Sequence, residues 1–213
     1  MIEKKEDHAG RLILTAVGVA ACLLFAMQIY CDFCGYTNIA RGAARIMGFE
    51  LIDNFNTPYM AVSVADFWRR WHISLTGWFR DYLYIPLGGN RHGKIRKYIN
   101  ILIVFLFSGL WHGAAWHYVA WGGLNGLFQI VGDLIKPVRN RVCSLLQIDR
   151  NAFSHKLLKG IITFVLIDIS WVFFRANSIH DACTILKNII TRRSPYPPPI
   201  MSSKKSWTIR NLK

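Results

Sequence analysis

An uncharged stretch near the start of this chain decides its fold class. Residues 12–31 read LILTAVGVAACLLFAMQIYC, twenty positions without Asp, Glu, Lys or Arg. At about 1.5 Å per helical residue they are long enough to cross a hydrocarbon core of about 30 Å. The stretch exceeds the apolar core of a secretory signal and no small-residue cleavage site follows it, so we interpret it as a membrane helix.

Two further apolar runs have the same character. Residues 99–132 contain 34 positions without Asp, Glu, Lys or Arg, which is too long for one simple span. Residues 157–174 are apolar apart from Lys159 and Asp168. The three runs predict at least three membrane-crossing or membrane-embedded units, and therefore an all-α integral membrane protein with several helices.

The composition agrees with this class and excludes several others. Of the 213 residues, 53% are hydrophobic and 18% are charged, whereas roughly 25% is typical of soluble domains. The apolar content excludes a disordered chain, and the absence of a repeat excludes a collagen-like one. The formal net charge is +14. Because long uncharged runs interrupt the basic segments, we expect attraction to anionic lipid headgroups and no nucleic-acid partner.

The basic residues lie between the apolar runs. Residues 41–97 contain nine Lys and Arg against four acids, and residues 136–159 contain six against Asp149 alone. Such loops stay on the cytoplasmic side, so residues 99–135 are expected to form a hairpin that enters the membrane and returns to that side. The segment after residue 174 is also basic, so the same rule places both ends of the last span on the cytoplasmic side, which a single crossing cannot satisfy.

An amphipathic segment precedes the second apolar run. Ser63 followed by Asp66 has the form of a capping box that opens a helix. At 100° per residue an apolar, Trp-rich face lies opposite an Arg-rich face, which is typical of a helix in the membrane interface. The apolar face would carry Val64, Phe67, Trp68, Trp71, Leu75, Trp78, Phe79 and Tyr82, and the polar face Asp66, Arg69, Arg70, Arg80 and Asp81.

An ionisable side chain stands in the middle of the longest uncharged run. His112 lies in GLWHGAAW, residues 109–116, where small neighbours permit close approach of a helix or a ligand. A neutral imidazole inside a membrane suits a general base. A structural histidine bonded to a backbone carbonyl is an equally good interpretation of the residues alone. Asp168 is a second intramembrane ionisable residue without a visible partner.

Six motifs together resemble the membrane-bound O-acyltransferase (MBOAT) family, and within it the branch of alginate-type O-acetylation proteins and teichoic acid D-alanyl transferases. They occur in the family's order over roughly residues 27–180, and any one of them alone would be a weak signal. The motifs are QIYCDFCGY (28–36), NFNTPY (54–59), DFWRRWHISL (66–75), WFRDYLYIPLGGNR (78–91), GLWHGAAW (109–116) and WVFFRANS (171–178).

The resemblance implies a fold and a division of the chain. The family's core is a ring of helices around a tunnel, and its members carry several membrane helices before the first of these motifs. The chain is therefore expected to correspond to roughly the C-terminal half of that core. We divide it into a polar N-terminus (1–11), an incomplete MBOAT-like membrane domain (12–180) and a basic, Pro-containing tail (181–213), placed in the cytoplasmic (inner) membrane as a multi-pass protein.

The resemblance also implies a reaction and its residues. The histidine of the Trp-His-Gly motif, His112, matches the family's catalytic residue, and His72 matches a second histidine near the reaction path. His112 would remove a proton from a sugar or polyol hydroxyl that attacks an acyl thioester, and His72 would position the donor or the developing oxyanion. Substrate or donor binding is expected at Trp111, Arg69, Arg70, Arg80, Asp81 and Asn90.

Partners follow from this reaction. We expect an acyl-carrier or acyl-CoA donor, a surface polysaccharide acceptor, membrane lipid, and partner proteins of a polysaccharide-modification system; no metal or bound organic cofactor is expected, since the thioester is a substrate. The arginine-rich face would dock the donor's acidic carrier or phosphate, or would be no more than a solvated face. The alternative function is a non-catalytic membrane subunit, or an inactive fragment, that binds an acyl donor or a partner protein.

Overall fold

The computed structural model describes the backbone of residues 2–191. Residues 2–11 continue the first helix, and residues 181–191 of the predicted tail belong to the last one, whereas residues 192–213 lie outside the described part. The helices are α1 (Ile2–Ile46), α2 (Val64–Trp68), α3 (Ile73–Phe79), α4 (Gly93–His112), α5 (Trp116–Leu145), α6 (Phe153–Arg175) and α7 (Ile179–Thr191), with a 3-10 turn at Pro58–Met60 and a π-helical turn at Arg80–Tyr84.

The described part of the chain is all-helical, as predicted. Residues 15–46 of α1 and the whole of α6 are long and apolar enough to cross a membrane. The longest uncharged run forms two helices, because α4 ends at His112 and α5 begins at Trp116. The two helices form an antiparallel hairpin, whose open end is joined by an ion pair between Lys97 and Asp133 at 2.7 Å.

Glycines allow α4 and α5 to approach at backbone distance. A methyl group built on Gly122 would lie 2.1 Å from the carbonyl oxygen of Phe105, and one on Gly109 would lie 2.3 Å from that of Tyr118. No side chain fits at such distances, so the hairpin requires glycine at both positions. We call these contacts the glycine seam; its close packing replaces the hydrophobic effect, which is weak between helices in lipid.

An aromatic core joins the short helices to the long ones. Trp71 packs against Trp171 of α6 with ring centroids 5.0 Å apart, and Phe67 stacks on Trp71 at 5.5 Å. Tyr59 donates a hydrogen bond from its hydroxyl to the carbonyl oxygen of Ala26 in α1. The segment that contains α2 is thereby wedged between α1 and α6, and His72 follows directly after its buried Trp71.

The single amphipathic helix predicted from Ser63 onward is wrong, because the helix is broken between α2 and α3. The chain from residues 54 to 56 lies antiparallel to residues 70–73: Asn56 N–H donates to the Arg70 carbonyl at 2.9 Å, and Ile73 N–H donates to that of Asn54 at 3.1 Å. His72 takes a left-handed conformation, with φ of 46°. The predicted apolar face is therefore divided: Trp71 is buried, whereas Trp78 and Tyr82 after the break are exposed.

The predicted helix start at Ser63 is confirmed. Its hydroxyl accepts a hydrogen bond from the backbone N–H of Asp66 at 3.1 Å, so the first turn of α2 is capped. The Asp66 carboxylate accepts from Val62 N–H at 3.2 Å and from Arg70 Nε at 3.1 Å, and Arg69 lies 3.4 Å from it. A single carboxylate therefore ties both arginines to the start of α2.

Replacing Asp66 with asparagine is expected to destabilise the wedge by about 1 kcal/mol, because one charged partner of two arginines is lost while much of Arg69 is solvated. Burial by itself raises the pKa of Asp66, but hydrogen bonds from Arg70 and Val62 and the charges of both arginines hold it below 3.8. The carboxylate's contribution is therefore complete above 3.8 and is lost as the pH falls through the lower folded-state pKa.

Thermal unfolding of the detergent-solubilised wild type and Asp66→Asn at pH 7 and at pH 3 checks this expectation. The difference in melting temperature between the two proteins should be smaller at pH 3 than at pH 7. A difference of the same size at both pH values would contradict the role given to the charge.

Candidate functional site: a cavity with two histidines

A cavity of about 1480 Å³ lies between α1, the α2–α3 segment, α4, α5 and the end of α6. Residues 25–41 of α1 and residues 97–112 of α4 contribute two of its walls. At about 1.5 Å per residue each wall is more than 20 Å long, so the cavity is elongated along the helices. Its wall brings together His72 and His112, the two histidines predicted from the motifs.

His112 ends α4 and has one ring nitrogen committed to a hydrogen bond. Its Nδ1 lies 2.7 Å from the backbone carbonyl oxygen of Ser108, one turn earlier. A carbonyl oxygen only accepts, so Nδ1 carries the proton of this bond and the neutral ring keeps its lone pair on Nε2. The ring lies among Trp111, Trp121 and Phe174, with centroid separations of 4.9, 4.9 and 5.5 Å.

His72 lies at the break between α2 and α3. Its ring packs edge-on against Phe33 of α1 at 4.7 Å, and its Nδ1 lies 3.5 Å from the hydroxyl oxygen of Ser74. Burial, and then the neighbouring His112, lower the pKa of His72 to about 4. The ring is therefore uncharged at neutral pH, where it offers one N–H donor and one lone pair to a ligand.

Trp111 links the two histidines. Its ring centroid lies 6.4 Å from that of His72 and 4.9 Å from that of His112; the residue is 60% exposed and lines the cavity. A flat, exposed aromatic ring between two imidazoles gives a ligand an apolar surface on which to rest. Trp111 therefore lies on the cavity wall beside both histidines, and its role in substrate binding stays a prediction.

The predicted arginine-rich face does not form a single cationic surface. Arg69 and Arg70 share Asp66, while Arg80 pairs with its neighbour Asp81 at 2.7 Å. Arg69 and Arg80 line the cavity, but Arg70 and Asp81 are not among its lining residues. The face is split because the break at residues 69–72 separates the two arginines of α2 from the one after α3.

The predicted Asn90 lies away from the cavity. It is exposed in the turn between the π-helical segment and α4, and the cavity lining does not include it. The asparagine that organises this turn is Asn100, whose buried Nδ2 donates to the carbonyl oxygens of Leu87 and Gly89 at 3.2 and 2.9 Å. The motif that contains Asn90 correctly indicated a turn, but the side chain that stabilises this turn is Asn100 of α4.

Two residues of the site were missed by the sequence analysis. Asn125 is fully buried: its Oδ1 accepts from Trp68 Nε1 at 3.2 Å and its Nδ2 donates to the carbonyl of Trp121, whose ring packs on His112. The sequence feature that could have indicated Asn125 is a polar residue among glycines in GGLNG, residues 122–126. Arg175 lines the cavity directly after Phe174, at the end of the motif WVFFRANS.

Among the side chains that the structure describes, no three from His, Cys, Asp and Glu converge as a metal site. His117, which also lines the cavity, has its Nδ1 2.8 Å from the carbonyl oxygen of Ala176 and so fastens α5 to the end of α6.

Comparison with known proteins assigns the family. The profile of MBOAT, the membrane-bound O-acyltransferase family, matches residues 3–174. The chain is 41% identical over 180 residues to the probable alginate O-acetylase AlgI of Pseudomonas aeruginosa, a match covering 83% of this chain and 32% of that protein. It is 40% identical over 168 residues to the peptidoglycan O-acetyltransferase of Helicobacter pylori, covering 79% and 30% respectively.

A further relative belongs to the teichoic acid D-alanyl transferase branch, which the motifs also resemble. The teichoic acid D-alanyltransferase of Bacillus subtilis is 37% identical over 105 residues, which is 46% of this chain and 27% of that protein. The chain thus spans about a third of the length of the curated relatives it matches. Because the family profile covers most of the chain, including both histidine motifs, the chain belongs to the membrane-bound O-acyltransferase family.

Proposed function

We propose that this chain carries the catalytic residues of an O-acyltransferase that moves an acyl group, specifically acetyl, from a thioester donor to a hydroxyl of a cell-surface polysaccharide. The choice of acetyl over D-alanyl rests on the stretch IPLGGNR, residues 85–91, which resembles the alginate-type branch. Two relatives near 40% identity are named as O-acetylating proteins, which supports the same choice.

One observation carries the proposal: His112 has its Nδ1 proton committed to the Ser108 carbonyl while its ring lies on the wall of the cavity. This bond fixes the orientation and tautomer of the ring, as in other histidines that act as bases. The structural interpretation of His112 also requires this bond. It gives no reason, however, for the ring to stand in a cavity with room for two reactants.

The reaction follows from that tautomer. Nε2 accepts the proton of the acceptor hydroxyl while the hydroxyl oxygen forms a bond to the thioester carbonyl carbon. The tetrahedral intermediate then collapses with cleavage of the carbon–sulfur bond, and the imidazolium returns its proton to the departing thiolate. His72, uncharged at neutral pH, donates an N–H to the thioester carbonyl oxygen as it becomes an oxyanion.

The cavity wall contributes binding and exclusion of water. Aromatic rings flank His112, and reactants bound against them would displace water from the base, which protects a thioester from hydrolysis. Trp111 supports the reacting groups between the two histidines. Arg69 and Arg80 lie on the cavity wall, where they are suited to bind a phosphate or an acidic carrier of the donor. The protein would act in the cytoplasmic membrane, as a multi-pass protein with partners of a polysaccharide-modification system.

The direct test is the ester content of the host's surface polysaccharide, measured by proton NMR with His112→Ala introduced at the native locus. We expect loss of the O-acyl signal with normal membrane insertion. His180→Ala is the matched control, because His180 is an exposed histidine of α7 outside the cavity lining. Unchanged ester content with His112→Ala would withdraw the catalytic assignment in favour of a binding subunit.

A further inference from the structure

Three polar side chains of α1 line the cavity in a single row. Gln28, Asp32 and Tyr36 recur at every fourth position, and all three belong to the motif QIYCDFCGY, residues 28–36. Residues four apart in a helix share one face and lie about 6 Å from each other along its axis. The row therefore extends for about 12 Å along the cavity wall. We call these three residues the polar stripe of α1.

The polar stripe carries hydrogen-bonding groups that the described part of the chain does not use. Its three side chains are exposed, and within residues 2–191 none of them makes a hydrogen bond, an ion pair or a ring contact. Other polar side chains of the cavity are committed within the protein; the Ser74 hydroxyl, for example, donates to Asn54 Oδ1 at 2.6 Å. Asp32 lies in a helix apolar enough to cross a membrane, where an ionisable group without a protein partner indicates a ligand.

The polar stripe lies beside the two histidines. Phe33, the residue after Asp32, packs its ring 4.7 Å from that of His72. Trp111 contacts both His72 and His112, with ring centroids 6.4 and 4.9 Å away. The turn of α1 that carries Asp32 is therefore the turn that meets the proposed reaction centre.

The chemistry of the polar stripe fits an uncharged ligand that is rich in hydroxyl groups. A carboxylate accepts hydrogen bonds, a side-chain amide donates and accepts them, and a tyrosine ring offers an apolar face with a polar tip. These groups match the hydroxyls and the apolar C–H face of a sugar, and about 12 Å is roughly the length of two sugar rings. A phosphate would be repelled by Asp32, and an acyl chain would leave the polar groups of the stripe unpaired.

We propose that the polar stripe is a sugar-binding subsite for the acceptor. Hydroxyls of one sugar ring donate to the carboxylate of Asp32 and exchange hydrogen bonds with the amide of Gln28, while the next ring rests on Tyr36. The bound sugar presents a further hydroxyl to Nε2 of His112. This subsite rests on the proposed function, whose acceptor it holds; His112 keeps the chemical role, and the stripe determines which hydroxyl reaches it.

A binding experiment tests this subsite without requiring turnover. The full chain is purified in nanodiscs, and dissociation constants are measured for labelled manno- and chito-oligosaccharides of equal length and for S-acetyl-pantetheine, a donor arm without phosphate. We expect the wild type to bind at least one of the two glycans. Asp32→Leu should bind that glycan at least about ten-fold more weakly, a difference typical of one hydrogen bond to a charged group. Gln28→Leu should weaken binding about three-fold, as expected for a neutral hydrogen bond.

Thermal unfolding separates a binding role from a structural one. Because the polar stripe bonds to no described group of the protein, Asp32→Leu and Gln28→Leu should melt close to the wild-type temperature while their glycan affinity falls. Asn38→Leu is the matched control, since Asn38 is an exposed residue of α1 outside the cavity lining. It should bind the glycan as the wild type does.

Three results would overturn the inference: a wild type that binds neither glycan, Asp32→Leu binding the glycan as the wild type does, or an effect of Asp32→Leu confined to S-acetyl-pantetheine. The last of these would assign the stripe to the donor. Failure of the proposed reaction is distinguishable, because His112→Asn should lose acyl transfer and keep glycan binding. Glycan binding that depends on Asp32, in a wild type without acyl transfer, would refute the reaction and leave the subsite standing.

Discussion

Replacing His112 with asparagine is expected to abolish acyl transfer while the protein keeps its fold. The side-chain amide of asparagine reaches the position of Nδ1 and can donate to the Ser108 carbonyl as the imidazole does. It has no group at the position of Nε2, so the acceptor hydroxyl loses its base. General-base catalysis typically contributes 100- to 10,000-fold, and we expect kcat to fall by about that factor.

The comparison between asparagine and alanine separates chemistry from structure. His112→Ala leaves the Ser108 carbonyl without its side-chain donor and opens space beside Trp121, so it should lower both the melting temperature and the activity. His112→Asn should lower activity as much as His112→Ala, with a smaller loss of melting temperature. An asparagine variant with substantial activity would show that the hydrogen bond to Ser108 is the only contribution of His112. Initial rates with a thioester donor and thermal unfolding of both variants decide the point.

Hydrophobic periodicity predicted helices well and failed where backbone pairing intervened. The apolar runs correctly indicated α1, α6 and the α4–α5 hairpin, because apolar length alone determines a helix in lipid. The break at His72 depends on residues 54–56, which pair with the chain near residue 71. The local sequence pattern of the amphipathic segment does not indicate that contact. Helical periodicity therefore predicted one continuous helix where the structure has two short helices.

The candidate site was predicted in its histidines and only in part in its charged residues. His112 stands out because an ionisable group is costly among apolar neighbours, whereas His72 was predicted from the resemblance of its motif to the family; the structure places both on one cavity. The pairing of the cavity cations depends on where carboxylates lie in space. Arg41, Arg69, Arg80 and Lys97 each have an acidic partner, and three of these pairs involve residues three or more positions apart in sequence. Only the folded chain shows these pairs.

A second large effect is expected from Gly122→Ala in the glycine seam. The added methyl group would lie 2.1 Å from the carbonyl oxygen of Phe105, a rigid backbone atom, so α4 and α5 must move apart. Overpacking of this kind typically costs about 1–3 kcal/mol and can cost more where backbone must shift. The shift would also displace Trp121, the next residue along α5, from the ring of His112. Both melting temperature and acyl transfer should therefore fall.

Gly132→Ala is the matched control, because it makes the same chemical change in the same helix. A methyl group at Gly132 meets no atom within 4 Å, and alanine favours a helix by up to about 1 kcal/mol over glycine. Gly132→Ala should therefore melt at or above the wild-type temperature, measured by tryptophan fluorescence in nanodiscs. Since helix propensity acts alike at both positions, the gap between the two variants measures the seam itself. Equal melting temperatures would mean that α4 and α5 separate at little cost. The glycine seam would then not be the contact that keeps Trp121 against the ring of His112.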